Sequence, residues 1–420
     1  MSATSWKWFF CIMLFAATAL SFFDRQALSV VSPLICQEFS MTNEAYARVT
    51  TAFLISYSVM FLVGGWLCDL LGTRLGLGLS VLFWSLASGV HGLVRGPLEL
   101  GMARFLLGAG EGACFPGVTK AVAEWFPKSQ RARATGIAIG GVSLGAVVAP
   151  PLVIGLVTSF GWREVFLLTF LMGGLWTIVW FAFYGKVGKR ESSAEPTPSE
   201  YDKSEKSEHV SLWRVLMRRD TVGMALARFL VDPVFYLYMF WIPQYLSTER
   251  GLSLTAIGSL TWIPFFALGV SNIAGGACSD RLVSRGTSAI TARKAIMGAA
   301  AFVTMASGLV AFSPNVTIAI TLMAILMLAH GFWITNYITL IGDRFPAGQV
   351  ATVVGITGMA GTIGGIFASP VIGWVADHLG FSPIWLASGC LYPLAFIVIL
   401  LTVRKNRIAK QERYNDNNSN

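Results

Sequence analysis

Leu98–Lys120 reads LELGMARFLLGAGEGACFPGVTK, an apolar stretch that carries an arginine, Arg104, and a carboxylate, Glu111, deep inside it. About 20 such residues form one membrane-crossing helix. Seven positions are close to two helical turns, so the spacing places Arg104 and Glu111 on one face, roughly 10 Å apart. A charge at mid-bilayer costs at least about 3 kcal/mol, so such groups face a partner or a water-filled cavity. Gly108, Gly110, Gly112 and Gly117 lie between and after them and let neighbouring helices come close. A second charged pair, Asp24–Arg25, interrupts the first apolar stretch in the same way.

Composition agrees with a membrane setting. Of the 420 residues, 55% are hydrophobic and 13% charged, with mean hydropathy +0.64. Soluble domains run nearer 45–50% apolar and about a quarter charged. The net charge of +9 does not imply a nucleic-acid partner, because the basic residues sit in short loops between apolar spans. Six cysteines (Cys11, Cys36, Cys68, Cys114, Cys278 and Cys390) are scattered singly, with no CxxC or Cys/His cluster. Neither a disulfide framework nor a metal site is expected. The first apolar run is too long for a signal peptide and has no clear cleavage site, so it reads as a retained helix.

The apolar segments predict an all-α integral membrane fold of twelve transmembrane helices, near 8–34, 47–68, 75–94, 98–120, 133–158, 164–185, 221–246, 255–278, 293–312, 316–340, 350–376 and 382–403. Residues 1–185 form a six-helix N-terminal bundle and 213–403 a six-helix C-terminal bundle. Between them lies a polar linker, 186–212, rich in Ser, Glu, Lys and Pro, for which disorder is expected. Residues 404–420 form a tail. With both termini inside, most of the 31 Lys and Arg collect in cytoplasmic segments, including Lys128, Arg131, Arg133, Arg218, Arg219, Arg293 and Lys294. Opposite loops hold Arg48, Arg95, Arg163 and Arg250. This asymmetry predicts cytoplasmic termini in a plasma (inner) membrane.

The two halves repeat. Glu124-Trp125-Phe126-Pro127, with Gly136 behind it, recurs 219 residues later as Asp343-Arg344-Phe345-Pro346 with Gly355. The same offset carries Gly145 onto Gly364 and Pro151 onto Pro370. Gly65-x3-Asp69 matches Gly276-x3-Asp280 at an offset of 211. A third echo, Gly373-Trp374-x2-Asp377-x2-Gly380, resembles Gly65-Trp66-x2-Asp69-x2-Gly72 but falls at an outward helix end. Parallel halves built from inverted three-helix units leave this trace.

Among the motifs, Gly65-x3-Asp69-x2-Gly72-x-Arg74 lies at the cytoplasmic turn between the second and third helices. Its glycines permit tight crossing, and its aspartate can pair with arginine and with exposed amides of a neighbouring helix. With Asp280 in the second copy, it reads as a gate latch. Asp24 and Glu111 are the candidate proton carriers: burial and a neighbouring arginine act on a carboxyl group in opposite directions, so it can change protonation as a cavity opens and closes. Mutual neutralisation as plain ion pairs is the simpler reading. Arg25 and Arg104 offer the planar fork that suits a carboxylate. Tyr57, flanked by Ser56 and Ser58, would supply polar and aromatic surface. In the second half, Arg228 and Asp232 can bridge along one helix face, and Pro233 predicts a kink. His330 aligns with Glu111 at the 219 offset and reads either as a packing residue or as a substrate donor. Trp333, Thr335, Asn336 and Tyr337 follow on the same helix and offer the amide, hydroxyl and aromatic surfaces that sugar binding needs, with Thr335 and Asn336 as candidate substrate contacts. The Gly140–Gly145 and Gly358–Gly365 runs read as packing surfaces without a phosphate role.

Phe23-Asp24-Arg25, Arg104-x6-Glu111-Gly112 and Glu124-Trp125-Phe126-Pro127 resemble the anion:cation symporter family of the major facilitator superfamily. Ala149-Pro150-Pro151, Arg228-Phe229-Leu230-x-Asp232-Pro233 and Trp241-Ile242-Pro243 are similar to its bacterial hexuronate-transporting branch. The resemblance runs from about Trp6 to Val403, without the linker and tail. It implies a major facilitator fold, Asp24 and Glu111 as proton-coupling acids, Arg25 as the substrate-carboxylate arginine, Arg104 as a partner of those acids, and Tyr57 near substrate. Aldonate carriers of this family tend to have a tyrosine and a polar amide where Phe22 and Val142 stand here.

These readings predict secondary active transport: a monomer in the lipid bilayer that couples a sugar-acid anion, hexuronate first, to protons, with no further cofactor. Other organic anions (galactonate, glucarate, phthalate-like acids) and a proton-independent exporter or exchanger are the alternatives. A ligand sensor would be expected to carry a signalling domain. No nucleophile or metal cluster accompanies His330, so no enzyme is expected.

Overall fold

A computed structural model describes residues 3–126, 128–191, 212–345 and 347–403. In order, its helices are α1 (Ala3–Glu38), α2 (Asn43–His91), α3 (Pro97–Glu111), α4 (Cys114–Trp125), α5 (Lys128–Ser159), α6 (Trp162–Glu191) and α7 (Leu212–Leu216). Then follow α8 (Arg219–Thr248), α9 (Leu254–Leu260), α10 (Trp262–Ser284), α11 (Ala289–Thr304) with a 3₁₀ turn at Met305–Phe312, α12 (Val316–Arg344), α13 (Ala347–His378) and α14 (Ser382–Thr402). The expected disorder of the linker at 192–211, the tail at 404–420, and the repeated prolines Pro127 and Pro346 lie outside the described residues. α6 runs on to Glu191, beyond the expected start of the linker at Lys186.

Ten stretches among the described residues are long and apolar enough to cross a membrane. The other two expected spans depart from single uninterrupted helices for local reasons. Residues 47–68 form the first half of α2, which continues through a sharp bend into 75–91. Gly72 makes that bend with φ 74° and ψ 158°, a region open essentially to glycine alone. Residues 98–120 are divided into α3 and α4 at Gly112–Ala113. Pro116 has no N–H, so the carbonyl of Gly112 loses its partner four residues on. Both residues of the break keep right-handed helical angles, so the two pieces form one rod.

Close packing of small residues replaces the hydrophobic effect as the force between membrane helices, and here it follows the repeat. A Cβ on Gly112 would stand 2.6 Å from Met60 Cβ of α2, leaving α3 pressed on α2. At the equivalent crossing Gly331 of α12 presses on Ser271 of α10. The two contacts are related by the same offsets, 219 and 211, read in the sequence. Likewise Gly145 of α5 lies against the Ala19 carbonyl of α1, and Gly364 of α13 against the Phe229 carbonyl of α8. The halves are structural copies.

They meet along α2–α13, α1–α8 and α5–α10. Tyr46 donates to the Phe240 carbonyl at 3.0 Å, and the Thr50 and Ser369 hydroxyls share a bond of 2.7 Å. The outer flanks carry exposed Leu98, Leu171, Ile178, Ile273 and Phe302, a surface suited to lipid.

Candidate functional site

The fold brings Arg25 of α1 and Glu111 of α3 together. Arg25 is 3% exposed and Glu111 fully buried. Arg25 Nε donates to Glu111 Oε2 at 2.6 Å. Ser21, one turn before Arg25, donates to the same oxygen at 3.0 Å. Glu111 Oε1 has no hydrogen-bond partner among the described residues. The guanidinium carbon lies 4.7, 5.3 and 4.5 Å from the ring centres of Phe22, Phe53 and Tyr57. Aromatic faces attract a cation with about 0.5–2 kcal/mol each, so the rings partly replace lost hydration. Tyr57 stacks on Phe53 at 5.5 Å, while the Ser56 hydroxyl turns back to the Phe53 carbonyl.

The other two charges do not pair within their own helices, as plain neutralisation would require. Asp24 turns its carboxylate away from Arg25 and accepts from Ser88 of α2 at 2.8 Å; Ser88 in turn bonds Thr169 of α6 at 2.6 Å. Arg104 Nη2 reaches the backbone carbonyl of Asp24 at 3.4 Å, not its carboxylate. The reason is geometric: adjacent residues on a helix point about 100° apart, so Asp24 and Arg25 cannot address the same neighbour.

The second half closes the cluster with neutral surface. Phe240 of α8 lies 6.2 Å from Phe53, and Tyr236 stacks on Phe240 at 5.9 Å. The Tyr236 hydroxyl is 3.4 Å from Thr362 of α13. Asp232, one turn before Tyr236, holds Arg228 with both oxygens at 2.8 Å, as the four-residue spacing implied. Gly361 of α13 makes room for that carboxylate.

Other expected site residues are placed elsewhere. His330 stacks on Phe235 at 5.0 Å and bonds the Tyr392 hydroxyl, both within the second half. Thr335 donates to the Asn272 carbonyl of α10 at 3.1 Å, and Asn336 to the Gly275 carbonyl at 3.0 Å. The structure therefore uses Thr335 and Asn336 to tie α12 to α10 and does not bring them to Arg25. At the gate, Gly65 packs toward Pro116 and Gly72 forms the bend. Arg74 is exposed, its carbonyl accepting from Trp180 at 2.9 Å. The Asp69 side chain lies outside the described residues. In the second copy Asp280 pairs with Arg293 of α11 at 2.7 Å, and Arg293 also meets Asp343 of α12 at 3.2 Å.

Sequence reasoning missed Ser21, Ser88, Thr169, Phe53, Tyr236 and Phe240. Ser21 and Tyr236 carried a usable signal, each standing four residues from a singled-out charge. Ser88, Thr169 and Phe53 come from helices whose rotation no local pattern fixed.

Comparisons with known proteins agree with this architecture. The sequence profile of the Major Facilitator Superfamily matches residues 14–369 and 224–417. The chain is 28% identical over 422 residues to a hexuronate transporter of Escherichia coli (strain K12), covering 98% of this chain and 97% of that one. It is 30% identical over 412 residues to a probable sulfoacetate transporter of Cupriavidus necator, covering 94% and 93%. A bacterial homolog to the human lysosomal transporter Spinster, solved inward-facing and unoccupied, superimposes with a TM-score of 0.74 at 18% identity, over 94% of this chain and 95% of that one. Apolar rods in two repeated halves among the described residues, with a charged cluster where they meet, are a transporter's architecture, and the chain belongs to the Major Facilitator Superfamily.

Proposed function

We propose that this protein is a proton-coupled symporter of a sugar-acid anion, with a hexuronate as its substrate. The observation that carries the reading is the Arg25–Glu111 pair. A guanidinium held through one oxygen of a buried acid, among three aromatic rings, is an anion hook under competition. Protonation of Glu111 removes the competing charge and frees Arg25 for the substrate carboxylate. Tyr57, Tyr236 and Thr362 offer hydroxyls for the sugar. Deprotonation of Glu111 on the other side reclaims Arg25 and expels the anion. Asp24 is the second proton site, acting through its link to Ser88 and Thr169, and Arg104 braces the α1 backbone beside it. Two protons per monoanion make the cycle electrogenic. The charge asymmetry of the loops supports cytoplasmic termini in the inner membrane, the chain acting as a monomer that uses protons and no other cofactor. Support for a hexuronate comes from the relative named for it, which spans nearly the whole chain.

A second reading, another small organic anion, is favoured by the more identical sulfoacetate relative. Uptake of labelled glucuronate or galacturonate into proteoliposomes, with and without an acidic exterior, tests the first. Accumulation that requires the gradient and vanishes in Arg25→Ala supports it. Absence of uptake in folded protein, with sulfoacetate carried instead, overturns the hexuronate assignment.

A further inference from the structure

The motif echo Gly373-Trp374-x2-Asp377-x2-Gly380 acquires a physical meaning at the face carrying the α1–α2 and α13–α14 loops. The first amides of any helix have no partner within it. In α2, Ala45 N–H goes to the Thr42 hydroxyl at 3.2 Å, and Tyr46 N–H to the Thr42 carbonyl at 3.0 Å. The remaining two are satisfied from the other half of the molecule. Asp377, at the end of α13, accepts from Asn43 N–H at 2.9 Å and the Asn43 side-chain amide at 2.8 Å with one oxygen. Its second oxygen accepts from Glu44 N–H at 2.8 Å. A carboxylate is thus seated on the positive end of a helix dipole.

The backbone makes this approach possible. A Cβ on Gly373, one turn before Asp377, would stand 2.7 Å from Ala47 Cβ and 2.8 Å from the Asn43 carbonyl. One turn earlier, Ser369 meets Thr50. The contact is therefore a continuous seam between α13 and α2, ending in a charged cap.

We propose that Asp377 is a latch that clasps the two halves at this face, the counterpart of the Gly65–Arg74 motif at the opposite one. That this face is the outer one rests on the orientation proposed above; the clasp itself does not. Asp377 is exposed to solvent, so water can take over its bonds when the seam parts. Such a latch biases the equilibrium between closed and open without locking it.

Spin labels at Gln37→Cys and Leu379→Cys, both exposed, in a Cys278→Ser, Cys390→Ser background, read the separation of the halves on this face by electron paramagnetic resonance. Asp377→Ala is expected to raise the ratio of long to short distances roughly tenfold, the scale of about 1.4 kcal/mol. Asp377→Asn, which keeps one acceptor oxygen without the charge, should give a smaller shift. Asp280→Ala, on the opposite face, should leave this distance short. Unchanged distances in Asp377→Ala, or equal lengthening in Asp280→Ala, would overturn the latch. Because no substrate is present, the result is independent of which anion is carried, and a failed uptake assay would leave it standing.

Discussion

Glu111→Gln is the most informative perturbation of the central cluster. Glutamine keeps the length and one acceptor oxygen, so Arg25 and Ser21 retain a geometric partner, but the charge is gone. Hydrogen bonds to charged groups contribute about 1.5–3 kcal/mol against about 1 for neutral ones. The grip on Arg25 therefore weakens by about 1–2 kcal/mol, which the incoming carboxylate recovers as roughly 5- to 30-fold tighter binding at neutral pH. The sign of the pH dependence follows. In the native protein a proton must reach Glu111 before Arg25 is released, so anion binding strengthens as pH falls. In the variant the acid is replaced by its proton-loaded shape, so this strengthening should be largely lost. Equilibrium binding of labelled galacturonate in detergent measures both. Proteoliposomes should then show counterflow exchange without gradient-driven accumulation. Accumulation at the native level in Glu111→Gln, or an undiminished pH dependence of binding, would remove Glu111 from its assigned role.

Arg228→Ala should destabilise the fold by about 3–5 kcal/mol, because Asp232 is left charged and buried; Asp232→Asn added to it should recover much of the loss, as thermal unfolding in detergent would show. Gly112→Ala places a methyl group 2.9 Å from the Tyr57 carbonyl and should cost about 1–3 kcal/mol, whereas Gly136→Ala, with no neighbour within 4 Å, should be neutral or mildly stabilising in the same assay. Gly72→Ala meets no atom within 4 Å either, yet its backbone conformation should make it cost about 1–3 kcal/mol. Equal melting temperatures for Gly72→Ala and the native protein would remove the strain argument.

The course of the chain was legible because membrane helices announce themselves by length and because glycines and prolines recur at fixed offsets. Gly145 and Gly364, paired in the sequence, make matching contacts in space. What could not be read was rotation. Arg104 and Glu111 share a helix and Asp24 and Arg25 are neighbours, which invited pairing within each segment; the fold instead joins Arg25 to Glu111 and sends Asp24 to Ser88. That choice depends on how α1 is turned against α2, α3 and α6, which no local pattern encodes. Thr335 and Asn336 were chemically suitable for a sugar, but glycines at 275 and 331 let α10 and α12 come so close that the Thr335 hydroxyl and the Asn336 amide N–H bond across to α10.

The described charges packed around Arg25 all come from the first six spans, while the second six supply rings and hydroxyls, their own ions, Arg228 and Asp232, cancelling locally. Such a division separates two inheritances. Exchanging a tyrosine or threonine on the second wall alters which molecule fits while leaving the electrical arrangement intact, and a lineage can broaden its diet without rebuilding its engine.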